Sequence, residues 1–178
     1  MGSQEIMLGA RVWHVRELKA EIARLKEANA RLRDENSELK SHFDLALLAA
    51  EDLRDLSADG KLLLVDGWNL VLGADRVAAS REGLLARVRA RLGARTSDRA
   101  WVVFDGPREN VSCGDRLRVS YTGGGGAHRA DRLICDFIRM ARFRGDAARI
   151  EVVTDDRDFA REASRLGAAV RDGREFLR

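Results

Sequence analysis

The 178-residue sequence predicts an α/β fold in which a mainly parallel sheet carries helices on both faces and follows a long coiled-coil helix. Three observations predict it. From Lys61 onward, apolar strand-like runs alternate with helical stretches; three of those runs end on an aspartate; and near the N-terminus leucine recurs every seven residues.

The heptad region comes first. Leu18, Leu25, Leu32 and Leu39 take d positions, and Val15, Ile22, Asn29, Asn36 and Phe43 take a positions. Asparagine in a dry seam is costly unless it pairs with its twin across a parallel dimer, and Glu21 with Lys26 and Glu35 with Lys40 match as g-to-e′ pairs in that register. A parallel homodimer through residues 15–43 is therefore expected, with about 42 Å of helix at 1.5 Å per residue. The alternative is one amphipathic helix packed on the following domain, against which the two Asn weigh. The pattern weakens through Leu47, Ala50 and Leu53, and Leu56-Ser57-Ala58-Asp59-Gly60 reads as a break. Two parts follow: a dimerisation helix over 1–56 and an α/β domain over 57–178.

Within that domain the strands are expected at 61–65, 100–104, 117–121, 149–153 and 168–170, and the helices at about 75–93, 127–144 and 157–166. The first strand runs Leu62-Leu63-Leu64-Val65 straight into Asp66, with Asn69 three residues later. Trp101-Val102-Val103-Phe104 ends in Asp105, and Ile150-Glu151-Val152-Val153-Thr154 ends in Asp155-Asp156 with Asp158 close behind. One such Asp reads most simply as a helix N-cap. Three parallel neighbours ending alike would bring carboxylates to one edge, where a pair 4 Å apart repels by roughly 4 kcal/mol at an effective dielectric of 20, so a cation is expected between them. An all-oxygen donor set suits Mg²⁺ or Mn²⁺, and without Cys or His pairs at ligand spacing zinc is not expected.

Composition narrows the classes. The chain is 45% hydrophobic, so it is not a disordered protein, and Cys113 and Cys135 form no spacing motif. No apolar run approaches 18 residues and no signal peptide opens the chain, so a soluble cytoplasmic protein without a membrane partner is expected. Residues 1–59 carry a net charge of −3 and residues 60–178 a net charge of +6, with Lys61 the only lysine of the second part. Arginine's planar fork suits phosphate, and codon bias explains the same composition equally well.

The glycine run Gly123-Gly124-Gly125-Gly126 leads from a strand into a helix. Its amides are placed to approach a phosphate, with Gly124, Gly125 and His128 as candidate contacts. It is not a dinucleotide fingerprint, which belongs after the first strand. Asp131 lies early in the following helix, where either a site role or stabilisation by the helix dipole accounts for it. Arg129, Arg132 and Arg139 share a helical face suited to an RNA backbone or simply to solvent.

Taken in order, Val-Asp-Gly-Trp-Asn at 65–69, Phe-Asp-Gly at 104–106, Arg-Ala-Asp-Arg-Leu-Ile at 129–134 and Thr-Asp-Asp-Arg-Asp-Phe at 154–159 resemble the NYN domain, and within it the bacterial YacP-like branch of the PIN and FLAP nuclease superfamily. The resemblance covers about residues 61–176. It implies a three-layer Rossmann-like PIN/NYN fold and a hydrolase, an endoribonuclease that uses water activated on one or two Mg²⁺ or Mn²⁺ ions. It implies Asp66, Asp131 and Asp156 as metal-binding acids, Asn69 as an orienting amide, and Asp105 and Asp158 as supporting acids. Where that branch carries a glutamate four residues after the helix Asp, this chain has Cys135. The competing expectation is thus a weakly active or inactive domain that binds RNA or acts as a scaffold. A dehalogenase-type phosphatase is excluded by Trp68 in its second Asp position, and a receiver domain by the lack of a late-strand lysine.

Overall fold

The computed structural model describes residues 3–72, 80–107, 114, 116–123 and 128–177, with backbone only at 3–12, 38, 41, 42 and 177. Two units are distinguished, Met1–Lys40 and Ser41–Arg178. Helix α1, Ser3–Arg54, runs through both. In the first unit the a and d side chains Val15, Leu18, Ile22, Leu25, Leu32 and Leu39 are 49–65% exposed. Along its surface Glu21 pairs with Arg24 and Glu27 with Arg31, at 3.8 and 3.9 Å.

The second unit holds five parallel strands, β1 Leu62–Asp66, β2 Arg99–Phe104, β3 Leu117–Tyr121, β4 Ile150–Val153 and β5 Ala169–Arg171, in the order β3-β2-β1-β4-β5. Each lies within one residue of its sequence expectation at either end. The helices are α2 Gly67–Leu72, α3 Arg81–Ala94, α4 Arg129–Phe143, α5 Arg157–Leu166 and α6 Gly173–Leu177. Side chains alternate across a strand, so β1 sends Leu62 and Leu64 to one face and Leu63 and Val65 to the other. On the first face they pack with Trp101, Val103, α4 and α5; on the second with Val102, Phe104, α2, α3 and Phe176 of α6. Both faces are covered, which is why β1 reads as a continuous apolar run.

Besides the short α6, which the sequence reading lacks, three departures from that reading have identifiable causes. Helix α2 follows β1 directly, and its six residues carry no acidic first turn to announce it. Helix α3 begins at Arg81, because Ser80 caps it by accepting from the Gly83 amide at 3.0 Å; residues 75–79 of the expected helix lie outside the described residues. The third concerns the domain boundary. Ala49, Leu53 and Leu56 are buried in the core shared with α4, so the α/β domain includes the end of α1 and does not start at residue 57. Asp52 fastens this segment by accepting from Arg99 at 3.0 Å and Arg118 at 2.7 Å, on β2 and β3. Arg149 donates to the Ser57 carbonyl at 2.9 Å.

Gly67 is required for packing, since a Cβ there would collide with the Phe104 ring. Gly167 closes α5 at φ 102°, a left-handed conformation that glycine adopts without strain. Among the described residues no helix is long and apolar enough to cross a membrane.

A fragment of residues 41–178 should therefore fold, and one of residues 57–178 should be less stable by several kcal/mol. Burying each large apolar side chain is worth about 1.5–3 kcal/mol, and Arg99 and Arg118 would lose their carboxylate partner. Urea melts of the two fragments check this, and equal midpoints would refute it.

Candidate active site

Strand alternation decides which acids meet. Asp66 follows Leu62 and Leu64 in the alternation and Asp105 follows Trp101 and Val103, so both carboxylates lie on the α4 side at the C-terminal edge of the sheet. Beyond β1 the strand order reverses, with β2 and β3 on one side and β4 on the other. A crevice opens at such a point in parallel sheets, and Asp66 stands at it.

Most strand-end acids are committed to backbone amides. Asp105 Oδ1 accepts from the Ala130 amide at 2.7 Å and the Thr122 hydroxyl at 3.1 Å, so an acid from β2 caps the start of α4. Asp156 is the N-cap of α5, its Oδ1 accepting from Asp158 and Phe159 at 2.8 and 3.0 Å. Asp155 Oδ1 accepts from Gly173 at 2.8 Å at the start of α6. Asn69 ties β1 to β4, because its Oδ1 accepts from the Asp155 amide at 2.7 Å and the Thr154 hydroxyl at 3.2 Å. Asp158 stands 89% exposed and pairs with Arg161 at 2.9 Å.

Asp66 and Asp131 are brought together. Asp66 is buried, and its carboxyl is pushed up to about 8 by that burial and then by the negative charge of Asp131, against a lowering from the Asn69 amide at 3.4 Å. A proton shared with Asp131 and the charge of Asp105 raise it further. Asp131 Oδ2 lies 3.0 Å from His128 Nδ1. This donor set fits a hard divalent cation: a buried acid pair holds a proton at neutral pH because the second negative charge has no counter-charge. Asp156 lines the same cavity as Asp131 and gives its Oδ1 to the cap of α5. Among the described residues no three Asp, Glu, His or Cys side chains are grouped closely enough to hold a metal.

The arginines divide as well. Arg129 is buried, Arg132 is exposed, and Arg139 donates to Asp136 at 2.6 Å and Glu162 at 3.1 Å. Arg132 and Arg139 line one cavity, whereas Arg129 lies in the interior. His128 has φ 63°, a left-handed conformation that costs a side-chain-bearing residue about 1–2 kcal/mol and turns the chain into α4. Gly124 and Gly125 lie outside the described residues. Sequence reasoning missed Glu162, which lines a cavity with Asp131, Arg132 and Cys135. An exposed-looking Glu on an arginine-rich helix carries no signal until α4 is packed beside it.

Asp66 gives a pH dependence of defined sign. The native carboxyl binds its proton more tightly than the unfolded chain does, so its stabilisation is complete below 3.8 and is lost as the pH rises through about 8. In EDTA at pH 8.5, Asp66→Asn should melt about 5 °C above wild type, as roughly 1–2 kcal/mol would give in a chain of this size. At pH 5 the gap should be smaller, because less of the stabilisation has been lost there. A variant that melts below wild type at both pH values would refute the uncompensated acid pair.

No protein-family model and no curated protein matches the sequence. Among solved structures the chain is similar to Rae1 (YacP) from Bacillus subtilis, at 25% identity and TM-score 0.48, over 66% of this chain and 71% of that one. A Trp-to-Leu mutant of the same protein matches at 25% identity and TM-score 0.47, over 66% and 72%.

Proposed function

We propose that this chain is a metal-dependent endoribonuclease that works as a coiled-coil homodimer. The observation that carries the reading is the buried Asp66 carboxyl set against Asp131 at the point where the strand order reverses. Asp66 and Asp131 would hold Mg²⁺ or Mn²⁺, the rest of its oxygen shell coming from water and the substrate phosphate, as Mg²⁺ commonly prefers. The ion supplies Lewis acidity toward the phosphodiester and toward water.

The chain's own residues do the positioning. Asp105 and Asp156 fix the starts of α4 and α5, whose N-terminal dipole ends favour a phosphate at this edge. His128 orients Asp131, and Asn69 holds α2 to the turn that follows β4. Arg132, exposed at the cavity, contacts the RNA backbone. The commitment of Asp105 and Asp156 to helix caps, together with Cys135, favours a second reading, that of an RNA-binding or scaffold domain with little activity.

Mixed RNA incubated with the full chain separates the two. The nuclease reading expects cleavage with Mn²⁺ or Mg²⁺, none in EDTA, and a loss of at least about 100-fold on Asp66→Asn. Undiminished cleavage by that variant would sink it, and RNA binding without cleavage in any metal selects the scaffold.

The half-exposed seam of α1 supports the dimer, since a stripe of this size is normally covered. Light scattering should give a dimer for the full chain and a monomer for residues 41–178. Replacing Asn29 and Asn36 with Ile should raise the melting temperature and admit higher oligomers, because paired amides no longer select two strands. A monomeric full chain at tens of micromolar would refute it.

A further inference from the structure

The groove between α4 and α5 has a chemistry that phosphate binding does not use. It is a cavity of about 360 Å³ that shares Asp131 with the acid pair. Cys135 and Phe159, both buried in the core, are its apolar residues; the rest of the lining is polar, with Asp156 and Asp158 joining Asp131 and Glu162 among the acids. Burial pushes the Cys135 thiol up to about 11, so it presents a neutral, soft surface. At the rim a carboxylate and a guanidinium stand side by side: Arg139 Nη2 donates to Glu162 Oε1 at 3.1 Å, and Arg165 approaches Glu162 Oε2 at 2.8 Å. The Arg165 pair is on the surface, where such bridges are weak and readily exchanged.

This size suits a small organic ligand better than a lone phosphate. Two buried apolar groups, Cys135 and Phe159, beside an acceptor and a donor at the rim suit the face and one edge of a flat heterocycle. Continuity with Asp131 makes that heterocycle a base of the RNA strand, so the inference rests on the nuclease reading for its substrate class. We propose that the α4–α5 groove is a base-binding subsite that selects guanine next to the cleaved bond.

The selection follows from hydrogen-bonding groups. Guanine presents two adjacent N–H donors, at N1 and N2, to the paired oxygens of one carboxylate, and beside them the O6 acceptor. Glu162 takes the two donors and Arg139 donates to O6. Adenine offers that carboxylate one N–H beside an acceptor nitrogen, and uracil one N–H between two carbonyls, so each leaves a carboxylate oxygen facing an acceptor. Cytosine offers a single amino donor, its other groups being acceptors. Arg132, exposed beside the groove, contacts the attached phosphate.

Equilibrium binding of the four nucleoside 5′-monophosphates to the full chain, followed by NMR titration, tests this without requiring cleavage. The expected result is GMP bound about tenfold tighter than AMP, CMP or UMP, as one good bidentate contact gives. Glu162→Gln, on a solvent-accessible helix face, should remove the preference for GMP and leave UMP binding unchanged, and Arg139→Gln should weaken GMP alone. Asp66→Asn should abolish RNA cleavage and keep the GMP preference. Equal affinities for all four nucleotides, or a GMP preference that survives Glu162→Gln, overturns the subsite even if RNA is cleaved. A Glu162-dependent GMP preference in a chain that cleaves no RNA upholds the subsite and discards the nuclease.

Discussion

A parallel sheet forces every strand to end at the same edge, and four of these five strands have an aspartate at their end or within two residues of it. The structure has to dispose of that negative charge. Asp105, Asp155 and Asp156 each give an oxygen to the amide of a following or neighbouring helix, at 2.7–3.0 Å. Helix starts have unpaired amides and a positive dipole end, so these bonds satisfy both partners. Asp66 is treated differently. Helix α2 begins at the next residue and leaves it only the long Asn69 contact, while burial and Asp131 act on it from the other sides. A set of residues of one type is thereby divided into acids that hold the scaffold and one that is held charged only at a cost.

The end of α1 belongs to that scaffold. Asp52 is a largely buried carboxylate with two arginine partners from adjacent strands, and removing one member of such a set leaves charge without compensation. One helix thus carries two stripes of different fate. From Leu18 to Leu39 its heptad leucines are half exposed in the single chain, whereas Ala49 and Leu53 are buried in the domain core. The heptad pattern and the core pattern merge without an interruption in the helix, so hydrophobic spacing alone does not mark where one gives way to the other.

Arginines outnumber the phosphate contacts they could make. Arg139 is held by Asp136 and Glu162, Arg161 by Asp158, and Arg171 by Glu151 on the neighbouring strand. The largely buried Arg171–Glu151 pair removes a cation from the inventory available to nucleic acid, whereas the exposed pairs exchange readily. What remains is directional: where a guanidinium lies beside a carboxylate, the pair offers donors and acceptors in fixed order, which suits a base edge better than a backbone.

Local patterns determined the five strands, the three longer helices of the domain and the acids at the sheet edge, because alternation, capping residues and apolar runs act over a few residues and are written in them. Strand parity, once the strands are placed, also puts Asp66 and Asp105 on the same face. The neighbours of each acid were decided by tertiary structure. That Asp156 caps α5 while Asp66 meets Asp131, that Glu162 stands beside Cys135 across the α4–α5 groove, and that Ala49 and Leu53 belong to the domain core all depend on contacts between segments tens of residues apart. A carboxylate's role is set by what surrounds it, since burial and nearby charge shift its proton affinity far more than its own covalent chemistry does. Those surroundings exist only once the sheet has closed and the helices have packed.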